Sequence, residues 1–495
     1  MRRVPDASHP RRCDAEREHA PGGRHMNRRD FLTMPVALAL KDTARPAYQA
    51  TGVKVGEVSD NSAIVWMRLT ARPSRRADGV LRRGRPVPFP AELRVEDLEG
   101  SCPGAPGEVR VRYGARPDLA GARETDWIGV SGETDFSRQF RLAGLEPGTV
   151  YHYSAEARGP WGLVQHRPMR GRFETAPAPD RAADVVFTMS TCQKYVALDH
   201  PDGYHIYQAI PNLAPKFHIT AGDIVYYDSD DPQAHTEELA RYHWHRMYSF
   251  PRHVAMLLNI PGYWEKDDHD TLFNDGWRGQ KAAEVMLPLT FDDGLRIFRE
   301  QVPMGERTYR TFRWGKGLQI WLVEGRDYRS PNDMPDGPGK TIWGVAQKEW
   351  LERSLLESDA DWKILVSPTP IVGPDRADKA DNHSNAAFAY EGDQFRQWVQ
   401  KNLPDNFFNI NGDRHWQYHS VHPDCKMHEF SVGAASDPHA GGSPGEDPRY
   451  HRFHRVGGGF LSVRVGRLGN RSVISFALRD VHGRTVYEFK NERRL

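Results

Sequence analysis

Several short segments of this chain carry side chains that can bind metal ions. Asp223 follows a glycine on a tight turn, and Tyr226 comes three residues later. Residues 264–270 read Trp-Glu-Lys-Asp-Asp-His-Asp, which places four acids and a histidine in six residues. Asp413 and His415 form an Asp-x-His pair, a spacing that lets both side chains face one side of a strand. Together these points predict a metal centre.

Each of these residues also has a plain structural explanation. Cys192 offers a soft anionic ligand once it is deprotonated, but an isolated cysteine is more often a small buried core residue. An aspartate after glycine, as at Asp223, is a common turn or N-cap residue. The run at 264–270 fits an exposed acidic loop, although its tryptophan and apolar flanks argue against that explanation.

The metal-binding interpretation gains weight from the elements that precede these residues. The predicted strands are residues 184–189, 217–221, 318–323, 362–367 and 406–411. Helical patterns intervene, for example at 203–210 and 347–356, and this alternation predicts an α/β fold. Ligands gather beyond the carboxyl ends of strands in such folds. Four strand ends that carry ligand-capable residues are what a two- or three-metal site needs, in which adjacent cations polarise a phosphoryl group and activate a water.

The N-terminal part of the chain, from about residue 50 to 175, has an all-β pattern. Val53–Val58 and Ala63–Arg68 alternate apolar and polar residues around an Asp-Asn turn. The run Leu-x-Pro-x-Thr-x-Tyr-x-Tyr at 145–153 resembles the corner of a fibronectin type III-like sandwich, where a tyrosine hydroxyl bonds back to the backbone. Residues 460–489 are predicted to form a β-hairpin that closes a sheet edge.

In order and spacing, the motifs resemble the PhoD-like (alkaline phosphatase D) family of calcineurin-like metallophosphoesterases. The matching segments are Ser190–Gln193, Gly222–Tyr226, Tyr263–Asp270, Glu324–Arg329, Gln347–Leu355 and Gly412–His415. The resemblance implies an α/β fold, a calcineurin-like metallophosphoesterase βαβ sandwich with an N-terminal fibronectin type III-like β-sandwich domain. It implies an N-terminal tail with an export signal at 1–45, a β-sandwich domain at 46–178 and a metallophosphoesterase domain at 179–495.

The same resemblance implies a secreted phosphoesterase of the alkaline phosphatase or phosphodiesterase type, which hydrolyses phosphate esters with a metal-activated water. Its implied cofactors are Fe3+ and Ca2+. Cys192, Asp223 and Tyr226 would hold the iron, with Asp223 as a bridge between metals. A thiolate and phenolate pair suits Fe3+ better than Mg2+.

The remaining ligands implied by the resemblance would form oxygen-rich calcium positions. These ligands are Asp268, which follows an apolar stretch, and Asp413 and His415, which follow a predicted strand. Ca2+ prefers carboxylate and carbonyl oxygens. Asn274 or Asp267 is an alternative source of calcium ligands, so the partition of ligands between the metals stays open.

Two residues are implied to take part in catalysis. His269 occupies the place of the histidine that assists catalysis in calcineurin-like enzymes, and is the candidate general acid. Arg326 is the candidate clamp for the substrate phosphate because its planar fork matches phosphate oxygens, with a structural salt bridge as the alternative. The chain departs from the family pattern at Glu324, where aspartate is usual; the longer side chain keeps the charge and moves the carboxylate by about one methylene.

Composition and the N-terminus constrain location and partners. The chain has 67 Lys+Arg and 66 Asp+Glu, a net charge of +1, which argues against electrostatic binding of nucleic acid or membrane surfaces. Its four cysteines are scattered, which suggests no disulfide framework. Residues 26–40 place two arginines before a short apolar stretch and resemble a twin-arginine (Tat) export signal. We therefore expect a periplasmic or extracellular protein exported by the Tat machinery; a basic tail with a chance arginine pair is the alternative.

Two other functions fit the same residues. The centre would also serve a phosphodiesterase that acts on a phosphodiester polymer or a lipid headgroup. A protein of a different class, a cell-surface binding protein with a degenerate metal site, is a further alternative. The intact set of predicted ligands argues against that last function.

Overall fold

The structure is a computed structural model that describes residues 47–160 and 167–495. The predicted export signal lies outside the described residues. Within those two ranges, no helix is long and apolar enough to cross a membrane. The three cysteines of the described ranges, Cys102, Cys192 and Cys425, are buried and unbridged.

Strands dominate the secondary structure. In chain order they are β1 (Val53–Gly56), β2 (Ser62–Arg68), β3 (Gly107–Gly114), β4 (Arg123–Glu124), β5 (Ile128–Val130), β6 (Ser137–Ala143), β7 (Val150–Arg158), β8 (Met169–Glu174), β9 (Val185–Ser190), β10 (Phe217–Ala221), β11 (Gly262–Glu265), β12 (Arg310–Trp314), β13 (Leu318–Leu322), β14 (Trp362–Ser367), β15 (Phe407–Asn411), β16 (Gln417–Val421), β17 (His428–Val432), β18 (His451–Arg455), β19 (Gly459–Leu468), β20 (Arg471–Asp480) and β21 (Thr485–Arg494). The α-helices are α1 (Ile206–Ala209), α2 (Glu237–Tyr248), α3 (Pro251–Leu257), α4 (Phe291–Gln301), α5 (Gly344–Glu357) and α6 (Ala389–Asn402). Each predicted strand of the α/β part overlaps an observed one.

Two large sheets pack face to face around the main core. One has the strand order β21-β20-β19-β9-β10-β11-β1-β2-β6, and the other has the order β12-β13-β14-β15-β17-β16-β18. Phe187 and Ile219 from the first sheet share a hydrophobic cluster with Ile320 and Phe430 from the second. Strands β9, β10 and β11 are parallel, as are β13, β14, β15 and β17. Their carboxyl ends therefore lie at a common edge.

Helices cover the outer faces of both sheets. Trp244 of α2 and Phe298 of α4 belong to a cluster with Trp264 of β11. Leu351 of α5 and Phe395 of α6 pack in another cluster, with apolar residues of β13 and β14. Both faces of the central strands are thus buried, which explains why these strands are almost continuously apolar.

A third, smaller sheet makes the N-terminal region β-rich, as predicted. It contains β4-β3-β7-β8 with β5 beside β3, and its residues Val109 and Tyr153 share a cluster with Val65 of β2. The Tyr151 hydroxyl accepts a hydrogen bond from the Glu146 N–H at 2.9 Å. That contact confirms the predicted tyrosine corner of a fibronectin type III-like sandwich.

The N-terminal strands also extend the largest sheet. β1 pairs in parallel with β11, with Gly56 opposite Gly262, and β2 and β6 follow β1 outwards. One sheet therefore contains strands from both sides of residue 178, and the domain boundary placed there stays a prediction. The C-terminal segment differs from the predicted hairpin, because it forms three antiparallel strands that run on to Arg494.

A buried ion pair joins the sandwich to the helices. Arg68 of β2 donates two hydrogen bonds of 2.9 Å to the Asp135 carboxylate. Gln301 at the end of α4 donates to the same carboxylate at 2.8 Å, and His245 of α2 contacts it as well. Burial alone would raise the pKa of Asp135, but Arg68 and then His245 hold it well below its usual value.

Asp135→Asn is expected to lower the free energy of unfolding by about 3 kcal/mol at pH 7, because it leaves a buried guanidinium without a counter-charge. A carboxyl with a depressed folded-state pKa stabilises the protein above its unfolded pKa. The difference in the free energy of unfolding between wild type and Asp135→Asn should therefore become smaller as the pH falls below about 4. Urea denaturation at several pH values measures both effects. Asp118→Asn, at an exposed pair with Arg116, is the control and should change nothing measurable; an equal loss in both variants would contradict the expectation.

Candidate metal centre

Three of the predicted ligands adopt a left-handed backbone conformation shortly after a strand. Their φ angles are +55° at Cys192, +54° at Asp223 and +62° at Asp413, after β9, β10 and β15 respectively. That conformation costs a residue with a side chain about 1–2 kcal/mol. Strained backbone of this kind persists where the surrounding structure enforces it and clusters at functional sites.

Two glycines let the ligand loops approach one another. Gly222 has a φ of +74°, and a Cβ there would lie 2.6 Å from the Cβ of Asp267. A Cβ on Gly412 would lie 2.4 Å from the carbonyl oxygen of Ala221. Glycine is therefore required at both positions, and it brings the loops after β10, β11 and β15 into contact.

The donor atoms of Cys192, Asp223 and His415 all lie within 4.8 Å of one another. The Cys192 Sγ is 3.4 Å from the Asp223 Oδ2, and the Tyr226 hydroxyl is 3.1 Å from the same oxygen. The three residues assigned to iron from the sequence thus lie together. His415, assigned to the other metal positions, lies beside them.

Asp223 connects this group to a larger cluster of acids. Its carboxylate also lies within 4.8 Å of donor atoms of Asp268 and His269, and within 4.8 Å of those of Asp267 and Asp413. Asp223 belongs to all three groups, which is the position that a bridging ligand requires. The groups include Asp267, one of the two alternative calcium ligands. Asn274, the other, is exposed.

Unsatisfied oxygens show that these residues fit a cation. Among the residues that the structure describes, the Oδ1 of Asp223 and the Oδ2 of Asp267 are buried and have no hydrogen-bond partner. A buried acceptor of this kind is costly unless a cation or a donor satisfies it. Thiolate, phenolate, carboxylate and imidazole donors together are a set that transition metals prefer.

The pKa values of the same groups lead to the same conclusion. Burial, and then the Asp223 carboxylate, raises the pKa of Cys192 and of Tyr226 well above the usual values. Burial and then Asp268 raise the pKa of Asp223 in the same way. A bound cation reverses this effect because it stabilises the anionic form of each ligand. Burial, and next His439, lowers the pKa of His415 and keeps it in the neutral form that binds metals.

His269 forms a close pair with Asp228 at the edge of the cluster. Its Nδ1 is 2.6 Å from the Asp228 Oδ1, and its side chain is 12% exposed. Burial opposes protonation, but Asp228 and then Asp268 raise the pKa of His269 well above its usual value. A protonated imidazole at this place can donate a proton, and the role of His269 as the general acid stays a prediction. No sequence motif assigns Asp228 a role, and its only signal is a position five residues after Asp223.

Arg326 lies behind the cluster. Its side chain has no exposed surface, and its Nε is 2.6 Å from the Asp267 Oδ1. Its Nη2 is 3.5 Å from Asp381 and 3.8 Å from Asp268. These contacts favour the structural ion pair that the sequence left as the alternative to a phosphate clamp. Glu324, the departure from the family pattern, accepts a hydrogen bond of 2.7 Å from Lys266.

More cationic side chains surround the acids. Arg414 contacts Asp413 and lies 3.1 Å from Asp375 and 3.5 Å from Asp381. Lys379 contacts Asp275 and is 3.9 Å from the Asp381 carboxylate. Fixed cations therefore balance the acids on one side of the cluster. On the side at Asp223, His269 is the neighbouring cationic group among the described residues, and the acids there fit a metal ion.

His439 belongs to the site although no sequence motif indicates it. Its Nε2 is 3.0 Å from the His415 Nε2 and 3.5 Å from the Tyr226 hydroxyl. The residue ends a 3-10 helix, Asp437–His439, in the loop after β17. The sequence there is a plain Ser-Asp-Pro-His turn, which by itself indicates no ligand.

Comparisons with known proteins identify the family and the fold of the chain. Residues 187–453 match the family described as PhoD-like phosphatase, and residues 36–177 match the PhoD-like phosphatase N-terminal domain. A solved structure of PhoD has a TM-score of 0.70 at 17% identity and covers 92% of each chain. A purple acid phosphatase, PPD1 from yellow lupin (Lupinus luteus) seeds, has a TM-score of 0.58 at 11% identity, over 88% of this chain and 73% of that chain. Among curated proteins no significant match is found. The structural likenesses confirm the predicted calcineurin-like fold.

Arg326→Gln is expected to destabilise the protein by about 3 kcal/mol, because Asp267 then stays buried without its cation partner. Thermal unfolding in the absence of substrate measures this loss. A phosphate clamp would behave differently, with a raised KM and unchanged stability. Arg278→Gln, at an arginine whose side chain is 51% exposed, is the matched control and should leave the unfolding temperature unaltered.

Proposed function

This chain belongs to the PhoD-like phosphatase family, and from that premise we propose that it hydrolyses phosphate esters outside the cytoplasm at the centre around Asp223. Family membership makes it a metal-dependent phosphoric ester hydrolase. The observation that carries the proposal is the position of Asp223, which belongs to all three groups of metal-ligand atoms. A shared carboxylate between adjacent cations is the arrangement of two-metal phosphoesterases.

The proposed cofactors are Fe3+ and Ca2+. Cys192, Asp223 and Tyr226 would hold Fe3+, because anionic sulfur and phenolate donors match a highly charged transition metal. The carboxylates of Asp267, Asp268 and Asp413 form the oxygen-rich part of the cluster that suits Ca2+. When bound, such ions would polarise the phosphoryl group of the substrate and activate a water molecule.

The side chains around the metals complete the chemistry. Asp228 holds the Nδ1 of His269, so the Nε2 is the atom left to face a substrate. The pairing with Asp228 favours the protonated form of this imidazole, and that form can give its proton to the oxygen of the leaving alcohol. Arg326 takes a positioning role in this proposal, since its ion pair fixes Asp267 beside the ligands.

Export is part of the proposal and rests on the sequence. The two arginines and the apolar stretch at residues 26–40 are typical of a Tat signal, which carries proteins across the membrane after they have folded. A protein whose cofactor binds between four strand ends has to fold before the site exists. The Tat route therefore suits a metal centre of this construction.

Cys192→Ala is expected to abolish iron binding and activity while the fold is kept, because the variant removes the thiolate ligand. Elemental analysis and the visible tyrosinate-to-Fe3+ band measure the metal, and circular dichroism measures the fold. Cys425→Ala, at another buried thiol, is the control and should keep iron and activity. Full activity in Cys192→Ala would refute the assignment of this ligand, and a folded wild type with neither iron nor calcium would refute the proposed cofactors.

His269→Asn is expected to slow hydrolysis of an alkyl phosphate monoester by about 100-fold or more, because an alkoxide is a poor leaving group without a proton. Nitrophenolate leaves readily, so turnover of nitrophenyl phosphate should fall much less. The ratio of the two kcat values is the measurement. Equal losses on both substrates would show that His269 acts in some other way than as the acid.

A further inference from the structure

We propose that Lys194 binds the phosphate group of the substrate and favours dianionic phosphate monoesters over monoanionic diesters. The inference rests on the proposed function and adds to it one residue and the substrate charge that this residue selects. Lys194 directly follows the segment Ser190–Gln193 and belongs to none of the motifs. Because Arg326 is buried in an ion pair with Asp267, the substrate phosphate still needs a cationic partner from the chain.

Backbone hydrogen bonds fix the place of Lys194 beside the ligand loops. The Gln193 N–H donates to the Asp223 carbonyl at 2.8 Å, and the Ala197 N–H donates to the Lys194 carbonyl at 3.0 Å. The Tyr204 hydroxyl donates to the same Lys194 carbonyl at 2.8 Å. The backbone of Lys194 therefore has a defined position relative to Asp223, as a substrate-binding residue requires.

The side chain of Lys194 extends over a proposed metal ligand. Its Nζ lies 5.0 Å from the centroid of the Tyr226 ring, and the hydroxyl of that ring is 3.1 Å from the Asp223 Oδ2. The ring of His269, the candidate general acid, has its centroid 4.3 Å from that of Tyr226. A phosphate ester that receives a proton from His269 at this centre has its other oxygens within reach of the long, flexible lysine side chain.

The ammonium of Lys194 has hydrogen-bonding capacity left for an anion. A lysine ammonium has three N–H donors, and among the residues that the structure describes Lys194 uses one of them, in a bond of 3.1 Å to the Ser229 Oγ. The nearby Asp230 carboxylate has other partners. It accepts a hydrogen bond of 2.9 Å from the Tyr195 N–H and lies 3.6 Å from Arg246.

Lys194 differs in this respect from the cations that balance the acids. Each of those cations contacts a carboxylate; they are Arg326, Arg414 and Lys379. The partner of Lys194 is a neutral hydroxyl instead. A phosphate that binds Lys194 therefore disrupts no ion pair, and the charge-assisted hydrogen bond contributes to substrate binding.

The charge of the substrate decides how much Lys194 contributes. A phosphate monoester carries about −1.5 to −2 elementary charges at pH 7, because its second pKa is near 6. A diester lacks the second ionisable oxygen and carries a single negative charge. Electrostatic attraction is proportional to the product of the two charges. Lys194 is therefore expected to stabilise a bound monoester more than a bound diester.

The test compares wild type, Lys194→Gln and a control on nitrophenyl phosphate, on bis-nitrophenyl phosphate and in calorimetric titration with inorganic phosphate. Lys194→Gln is expected to weaken phosphate binding at least about 10-fold, because a hydrogen bond between charged groups is lost. Its KM for the monoester should rise by a similar factor. Its kcat/KM for the diester should fall by less than about 3-fold, and its iron content should match wild type.

The matched control is Lys348→Gln. Lys348 also donates to a neutral side chain, the Gln394 Oε1 at 3.0 Å, but belongs to α5 on the outer face of a sheet. This variant should match wild type in all measurements. Lys194→Arg keeps the positive charge and should retain the phosphate affinity and the preference for monoesters.

Unchanged affinity for inorganic phosphate in Lys194→Gln would overturn the inference, as would equal losses of kcat/KM on the two esters. Loss of iron in that variant would overturn it as well, because Lys194 would then support the metal centre. If Lys194→Gln does not fold, Lys194→Met removes the same charge and gives the same comparison. A wild type that hydrolyses neither ester would refute the proposed function itself, a result that is distinguishable from these.

Discussion

Repulsion among the carboxylates around Asp223 is the constraint on which the rest of the site depends. Buried acids at this distance cannot all ionise unless cations are present. Arg326, Arg414 and Lys379 provide fixed positive charge on one side of the cluster. On the other side, among the residues that the structure describes, one buried oxygen of Asp223 has no hydrogen-bond partner, and the positive charge near it comes from His269 and from the proposed metal ions. The protein thus combines permanent and exchangeable cations in one network.

The architecture explains how the acids reach one place. Parallel strands of two facing sheets end at the same edge, and the chain turns sharply after β9, β10 and β15. Left-handed backbone at Cys192, Asp223 and Asp413 is the local cost of these turns. The packing of the sheets offsets this backbone strain, because both faces of each strand are covered by apolar residues. Stability of the core therefore maintains the geometry of the ligands.

The fold class and much of the metal centre could be predicted from the sequence. Apolar strands that end in polar residues gave the α/β class and the convergence of Cys192, Asp223 and Asp413, because strand periodicity and the edge rule are local properties. The structural role of Arg326 was harder to predict, since burial of a charged side chain depends on partners far away in the chain. His439 could not be found at all: its loop follows a strand without a motif, and only the folded chain brings it to His415.

The tyrosine corner at Tyr151 could be recognised in the sequence of the N-terminal region. The pairing of this region with the largest sheet could not be predicted from local sequence patterns. Backbone pairing between β1 and β11 depends on residues about 200 positions apart, as Gly56 and Gly262 show. The Tyr263 hydroxyl reinforces the attachment by donating to the Val58 carbonyl at 2.5 Å. Long-range pairing of this kind leaves no periodic signal in either segment.

The shared sheet has a consequence for the evolution of the N-terminal region and of the region that carries the metal ligands. β11 leads directly into the segment with Asp267, Asp268 and His269, and its outer neighbour in the sheet is β1. A recombination event that exchanged the N-terminal region for an unrelated sandwich would have to rebuild the strand beside β11 as well. The two regions are therefore expected to diverge together, as one heritable unit, rather than to be shuffled as separate modules.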